Sequence, residues 1–401
     1  MPKQTIEHTD VADKRVLVRV DFNVPLRDGA ITDDRRIRAA LPTIKSIVDR
    51  GGRAILMSHL GRPSGEGFET SASLAPVATR LGELLGTEVR FPSHDCTDAD
   101  AAQAVSGLEN GQVLLLENLR FNKGEKKGDP AFSATLANYG EIYVNDAFGT
   151  CHRTDASMFG VPECMTGKPR VVGFLVEKEI RFLSETIAQP EHPFTVILGG
   201  AKVSDKLPAI ENLLPKADDI IVGGAMAYTF LKALGRDVGS SRVEDEMIND
   251  AKRIIDLASN NSCELHLPED HISANSFSEK PSDIEVFEDT IKSGYMGLDI
   301  GPKTTARYAM IISKAKTIVW NGPMGVFEWL PFKVGTQQVA KAIADATSNG
   351  ATSIVGGGDS AAAVEVFDLA DKMSHVSTGG GASLEMLEGK AFKALEVLDD
   401  A

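Results

Sequence analysis

Short apolar runs alternate along the chain with longer stretches whose apolar positions recur every three or four residues. The runs Arg15–Val20, Arg53–Met57, Val113–Leu116 and Glu141–Val144 predict strands in the first half, and Val196-Ile197-Leu198, Ile220–Val222, Cys263–Leu267, Thr317–Trp320, Ser353–Val355 and His375–Ser377 predict strands in the second. Between them, Arg35–Asp49 carries Ile37, Leu41, Ile44 and Val48 on one helical face, and Leu74–Leu85 is helical too. Strands rich in Val, Ile and Leu, separated by helices, predict a parallel α/β sheet covered on both faces. A chain of 401 residues exceeds what one core ordinarily holds, so two domains are expected. The helical stretch Leu175–Ala188, followed by Pro190 and Pro193, marks the join: 1–174 forms the first domain, 175–189 the link, and the second domain starts at 190. The acidic stretch Ser278–Asp289 reads as a solvated connection.

Composition narrows the partners. A hydrophobic fraction of 42% with 25% charged residues is that of an ordinary globular protein. The net charge of -15 argues against nucleic acid or an anionic membrane as partner, though it leaves small anions open, since they respond to local charge. Cys96, Cys151, Cys164 and Cys263 have no CxxC spacing, so neither a disulfide framework nor a zinc site is expected. The N-terminus lacks an apolar targeting core, and no run approaches the ~18 apolar residues that span a membrane, so the cytoplasm is the expected location.

The strand exits carry the chemistry. In the first half they read Asp21-Phe22-Asn23, Ser58-His59-Leu60-Gly61-Arg62, Glu117-Asn118-Leu119-Arg120, and Asn145-Asp146 followed by His152-Arg153. Ligands of open α/β sheets sit outside the carboxyl ends of the strands. There Arg62, Arg120, Arg153 and His59 would gather, joined by Arg36 from the first helix. One surface arginine is ordinarily just solvated; several so placed suit a small molecule with more than one negative charge. The second half closes its strands with glycine instead: Gly199-Gly200, Gly223-Gly224, Asn321-Gly322-Pro323, Gly356-Gly357-Gly358-Asp359-Ser360 and Thr378-Gly379-Gly380-Gly381. Backbone can approach a ligand closely there, and helix starts near Ser360 and Ala382 offer N–H groups to phosphate. Lys202 and Lys206 share a face if the chain is helical from Val203. Asp359 suits a divalent metal carried by phosphates, or equally a plain helix cap. No Walker A loop occurs. Two anion-competent halves suggest phosphoryl transfer from a nucleotide to an acid, which is chiefly positioning and neutralisation of oxygen charge. A dinucleotide-dependent oxidoreductase is the competing reading, because Gly356–Ala361 fits GxGxxA; the strand after it ends in Ser377-Thr378-Gly379 with no carboxylate to hold a ribose. A non-catalytic binding protein is a second, disfavoured by Lys202 beside a full ligand set.

The segments Arg19–Pro25, Ser58–Pro63, Glu117–Phe121, Asn145–Arg153, Leu198–Lys206, Asn321–Trp329, Gly356–Ser360 and Ser377–Ser383 together resemble phosphoglycerate kinase, in order and over nearly the whole chain. The resemblance implies two doubly wound Rossmann-like domains joined by a hinge helix, with 190–385 binding nucleotide and 386–401 returning to the first domain. It implies reversible, Mg²⁺-dependent transfer between 1,3-bisphosphoglycerate and ADP, giving 3-phosphoglycerate and ATP. Asp21, Asn23, Arg36, His59, Arg62, Arg120 and Arg153 would hold phosphoglycerate; Lys206, Gly297, Asn321, Glu328, Gly357, Gly358, Asp359 and Ser360 would hold nucleotide, with Asp359 on the metal. Lys202 and Arg36 would neutralise the transferring phosphoryl, helped by backbone N–H groups of Gly358 and Gly381. A monomer is the implied state. Cys151 stands where the family commonly has alanine, Asp155 is also unexpected, and Ser360 replaces a common threonine while keeping the hydroxyl.

Overall fold

The strand Arg15–Val20 is buried from its second residue onward, as expected of a strand covered on both faces. The computed structural model describes residues 2–401 and divides into two units: one holds the chain up to Arg181 together with Ala391–Ala401, the other Phe182–Lys390.

The first unit is built on a six-stranded sheet in the order Val89–Arg90, Val113–Leu115, Arg53–Met57, Arg15–Val20, Ile142–Asp146, Arg170–Val172. All its pairings are parallel. Val16, Val18, Leu56 and Val144 pack with Ile37, Ile44 and Leu81 of the covering helices in one core. The helix Arg35–Asp49 forms over the expected residues, with Leu41 and Val48 only half-buried while Ala40 and Ile47 complete its inner face. The chain order reverses between Arg15–Val20 and Ile142–Asp146, leaving a crevice beyond their carboxyl ends. The chain end returns to this unit: Phe392, Leu395 and Leu398 are buried, and Asp399 pairs with Arg170 at 2.8 Å.

The second unit repeats the plan with the order Glu264–His266, Asp219–Val222, Phe194–Leu198, Thr317–Asn321, Thr352–Gly356, His375–Val376. Its reversal lies between Phe194–Leu198 and Thr317–Asn321, the doubly wound arrangement. Trp320 is fully buried at the centre of the core, and its Nε1 donates to Gly322 O at 2.7 Å. A three-stranded antiparallel sheet, Ile284–Glu288, Asp270–Ala274, Met296–Ile300, is added to it. The acidic stretch is therefore no mere connection: Ile284–Glu288 is an edge strand, with Ile284 and Val286 facing solvent.

The linking stretch is not one regular helix. It runs α over Phe174–Ile180, opens to a π turn over Arg181–Glu185 and closes as α over Thr186–Ala188. The division between the units falls at this π turn, and within the second unit Phe182 stacks on His375 with ring centroids 4.8 Å apart.

Candidate functional site

At the carboxyl ends of the first sheet, His59 is the centre. It leaves the strand Arg53–Met57 after one residue and is 2% exposed. Its Nδ1 lies 3.0 Å from Nη2 of Arg19, and since a guanidinium only donates, Nδ1 accepts. Burial, and then the charges of Arg19, Arg120, Arg153 and Arg36, hold its pKa well below the usual histidine value. The ring is neutral, with its proton on Nε2. Asp21 positions Arg36 through a 2.9 Å ion pair. Asn23 Oδ1 accepts from Gly61 N at 2.9 Å, and Arg120 Nη1 donates to Gly61 O at 2.7 Å, so both exits clamp the turn that carries Arg62. Arg120 Nε is buried without a partner among the described residues, and burial lowers its pKa, with Arg153 adding repulsion. Asn118 fixes the same turn by accepting from Leu60 N at 3.2 Å and donating to Leu60 O at 2.7 Å. Arg62 is exposed; Arg153 is half-buried, with Nε 3.3 Å from His152 Nε2. Asp21, Asn23, Arg36, His59, Arg62, Arg120 and Arg153 thus occupy one set of strand exits. Guanidinium groups around a neutral donor can receive a multiply charged anion and have no evident acid–base task.

Cys151, also in this region, is buried, and desolvation pushes its thiol up to about 12, so it is no nucleophile. Asp155 lies 3.8 Å from Arg120 and moderates the cationic cluster.

In the second unit a cavity of about 460 Å³ opens beside the glycine exits, lined among others by Gly200, Tyr228, Gly297, Met324, Glu328 and Asp359. Gly297 is required by its neighbour, since a Cβ there would lie 1.8 Å from Tyr228 Oη. Asp359 stands in the first turn of the helix Gly358–Val366, whose cap is Gly357; it is not the cap itself. Its carboxylate is exposed on the cavity with no partner among the described residues. Gly358 and Gly381 open the helices Gly358–Val366 and Gly381–Leu387, and a Cβ on either would meet nothing within 4 Å, leaving room for a ligand. Gly357 N accepts no such role, because it donates to Ser383 Oγ at 3.3 Å.

Other expected residues lie beneath the cavity instead of lining it. Ser360 is buried and its Oγ accepts from Gly322 N at 2.6 Å, tying two exits together. Asn321 is buried and receives a hydrogen bond from Lys206 Nζ. Burial lowers the pKa of Lys206, while Asp205, Asp359 and Glu388 oppose the shift. The regular helix begins at Leu207, not Val203, and Lys206 is its cap residue. Residues 203–206 form a turn closed by Lys206 N and Leu207 N on Val203 O, both at 2.9 Å, so Lys202 and Lys206 do not share a helical face. Lys202 is exposed beside Ala201 of the cavity wall, and its charge acts on Glu244, which caps the turn through Val203 N and Ser204 N.

Arg19, and on the cavity wall Tyr228 and Arg242, are not among the expected site residues. Arg19 shares a strand face with Arg15 and Leu17 in RVLVRV, and nothing in that pattern separates it from Arg15; only its place two residues before Asp21 hints at a site. A larger groove of about 740 Å³ along Gly29–Asp34 and Arg80 has its charges already paired, Arg80 with Asp34 at 2.8 Å and with Glu83 at 2.6 Å.

The family model described as "Phosphoglycerate kinase" matches residues 6–390. The phosphoglycerate kinase of Rhodopirellula baltica is 57% identical over 415 residues, covering 100% of both chains. That of Thermosipho africanus is 55% identical, covering 98% of this chain and 97% of its own. Among solved structures, phosphoglycerate kinase from Coxiella burnetii superposes with a TM-score of 0.90 at 41% identity, covering 99% of this chain and 98% of that one. The Pyrococcus horikoshii enzyme does so at 0.82 and 32% identity, over 99% and 98%.

Proposed function

The chain belongs to the phosphoglycerate kinase family, and on that premise we propose how its own residues divide the work. As a kinase of this family it transfers a phosphoryl group reversibly between 1,3-bisphosphoglycerate and ADP, giving 3-phosphoglycerate and ATP. The arginine-lined exits take the phosphoglycerate: Arg36, Arg62, Arg120 and Arg153 meet its carboxylate and phosphate oxygens, His59 donates from Nε2, and Asp21 and Asn23 hold the arginines and the Gly61 turn in place. The glycine-lined cavity takes the nucleotide, with Gly297 and Glu328 on its wall and Gly357, Gly358 and Ser360 shaping the helix start below the phosphates. Lys206 and Asn321 brace this floor.

The family works with magnesium, and the residues fit it: Asp359 offers a free, exposed carboxylate oxygen on the cavity, the donor type a hard divalent cation prefers. Bound there, Mg²⁺ would neutralise charge on the nucleotide's phosphate oxygens.

The single observation that carries the assignment is the imidazole of His59 set among guanidinium groups, its Nδ1 held by Arg19 Nη2 at 3.0 Å. In the ATP-consuming direction the nucleophile is a carboxylate, ionised near neutral pH without help. A general base has no part to play. The difficulty is repulsion between two anions, and Lys202 and Arg36 answer it, with backbone N–H groups of Gly358 and Gly381. Because the charges belong to different units, closure of the units precedes direct in-line transfer and excludes water. A cytoplasmic monomer completes the proposal, checked by its mass in solution.

The test is a coupled assay with 3-phosphoglycerate and MgATP. Lys202→Ala should lower kcat by about a hundredfold or more while both substrates still bind, the pattern of an interaction made only in the transition state. A mild loss would remove Lys202 from that role. Calorimetry should show ADP binding and NAD not.

A further inference from the structure

Glu125 is a fully buried carboxylate for which the reaction has no direct use. It projects from the short helix Lys123–Lys127 and accepts two hydrogen bonds from one residue, Ser157 N at 3.0 Å and Ser157 Oγ at 2.5 Å. With its hydrogen directed at Glu125, Ser157 Oγ presents a lone pair to Arg19 Nε, 2.8 Å away. Arg19 is likewise fully buried, donating through Nη1 to Val20 O and through Nη2 to His59 Nδ1. The donors therefore diverge from Arg19: Nη2 gives to His59 Nδ1 and Nε gives to Ser157 Oγ, whose own proton goes to the carboxylate, so Glu125 and Ser157 hold Arg19 from one side and His59 meets it on the other.

Each link has a physical reason. Burial pushes the Glu125 carboxyl up, and the charge of Arg19 is the largest influence drawing it down. A buried ion left without its counter-charge is strongly destabilising, so the two charges hold each other in place across the serine. Arg19 can only donate, which forces His59 Nδ1 to accept and puts the ring proton on Nε2. Nε2 has no partner among the described residues and is the atom left for a ligand.

We propose that Glu125 is a positioning residue: through Ser157 and Arg19 it locks His59 in the Nε2–H tautomer and holds that donor toward bound 3-phosphoglycerate. The inference rests on the reading of His59 as a substrate contact. It extends the site inward by one layer, to a carboxylate and a hydroxyl that touch no substrate.

The experiment combines imidazole nitrogen NMR with steady-state kinetics on the full chain, for the unaltered protein and for Glu125→Gln, Ser157→Ala and His59→Gln. In the unaltered protein His59 should show Nε2 protonated and Nδ1 not; the opposite tautomer overturns the proposal with no variant needed. In Glu125→Gln and Ser157→Ala, Arg19 loses its anchor and leaves His59 Nδ1 part of the time, so the tautomers should mix, and KM for 3-phosphoglycerate should rise about tenfold with kcat and KM for MgATP within about twofold, the size of one hydrogen bond misplaced. An unchanged tautomer, or an unchanged KM, in folded forms of these variants overturns it. His59→Gln separates the two levels. If it raises KM for 3-phosphoglycerate while the other variants do not, only the relay from Glu125 fails. If it leaves that KM alone, the assignment of His59 as a contact fails, and the proposal with it.

Discussion

Asp299 shows how far a single buried group can set a pH response. Its carboxylate accepts from Ile300 N at 2.9 Å and Gly335 N at 2.7 Å, but burial dominates and pushes its pKa up to about 7. An ordinary, solvated aspartate titrates near 4, so from there to about 7 the folded chain keeps a proton that the unfolded chain releases. Stability from this group is therefore full at low pH and falls as pH rises through 7. Urea unfolding at several pH values from 5 to 8 should show the unaltered protein losing stability relative to Asp299→Asn as pH rises; parallel curves would refute it. Arg62 gives a second residue-scale expectation. It is exposed on the turn that Asn23 and Arg120 clamp, so Arg62→Ala should leave the fold intact and raise KM for 3-phosphoglycerate about tenfold or more, with KM for ATP unmoved. An unaltered KM would take it out of the site. Arg62, Arg120 and Arg153 were legible because they follow apolar runs. Arg19 was not, because a buried arginine in an alternating strand has the same sequence signature as a solvated one.

At the scale of elements, the exits of neighbouring strands are interlocked backbone. Gly322 has φ +102, and a Cβ there would lie 2.2 Å from Gly199 O, a backbone atom that cannot swing away. Gly350 has a similar φ of +96 with open space around it. Gly350→Ala should then cost about 1 kcal/mol, the backbone strain alone, and Gly322→Ala roughly 3 kcal/mol or more, since the Gly199 exit must also move. Equal thermal shifts in the two variants would show that the exits are looser than they look. The parallel strands and the helix Arg35–Asp49 were readable because burial on both faces, or on one helical stripe, leaves a strong pattern. The antiparallel sheet escaped for the converse reason: Ile284 and Val286 face solvent amid acidic residues, so no core-facing period marks the strand. The helix after Lys206 begins at Leu207, so the condition under which Lys202 and Lys206 would share a face is not met; a turn and a first helical turn look alike in sequence.

The whole molecule is two separately cored units, and one of them is completed by residues from the far end of the chain. Phe392, Leu395 and Leu398 are buried there; Arg170 pairs with Asp399, and Lys3 with Asp400 at 2.7 Å. Each buried apolar side chain is worth roughly 1.5–3 kcal/mol. Removing 391–401 should lower the unfolding free energy of the first unit by roughly 4 kcal/mol or more, seen as an earlier urea transition. A transition that stays where it was would show that the tail only rests on that surface. The two-domain plan was visible in chain length and in the change from arginine to glycine at the strand exits.

The neutral ring of His59 has a further consequence. Arginine side chains keep their charge at every physiological acidity, and this imidazole, held far below its usual pKa, does not gain one. The arginine-lined exits thus keep their guanidinium charges as a cell acidifies, and His59 adds none to them. Phosphate monoesters do not, because their second proton leaves near pH 6. If these exits receive phosphoglycerate as proposed, acidity acts on capture through the metabolite's own ionisation and not through His59.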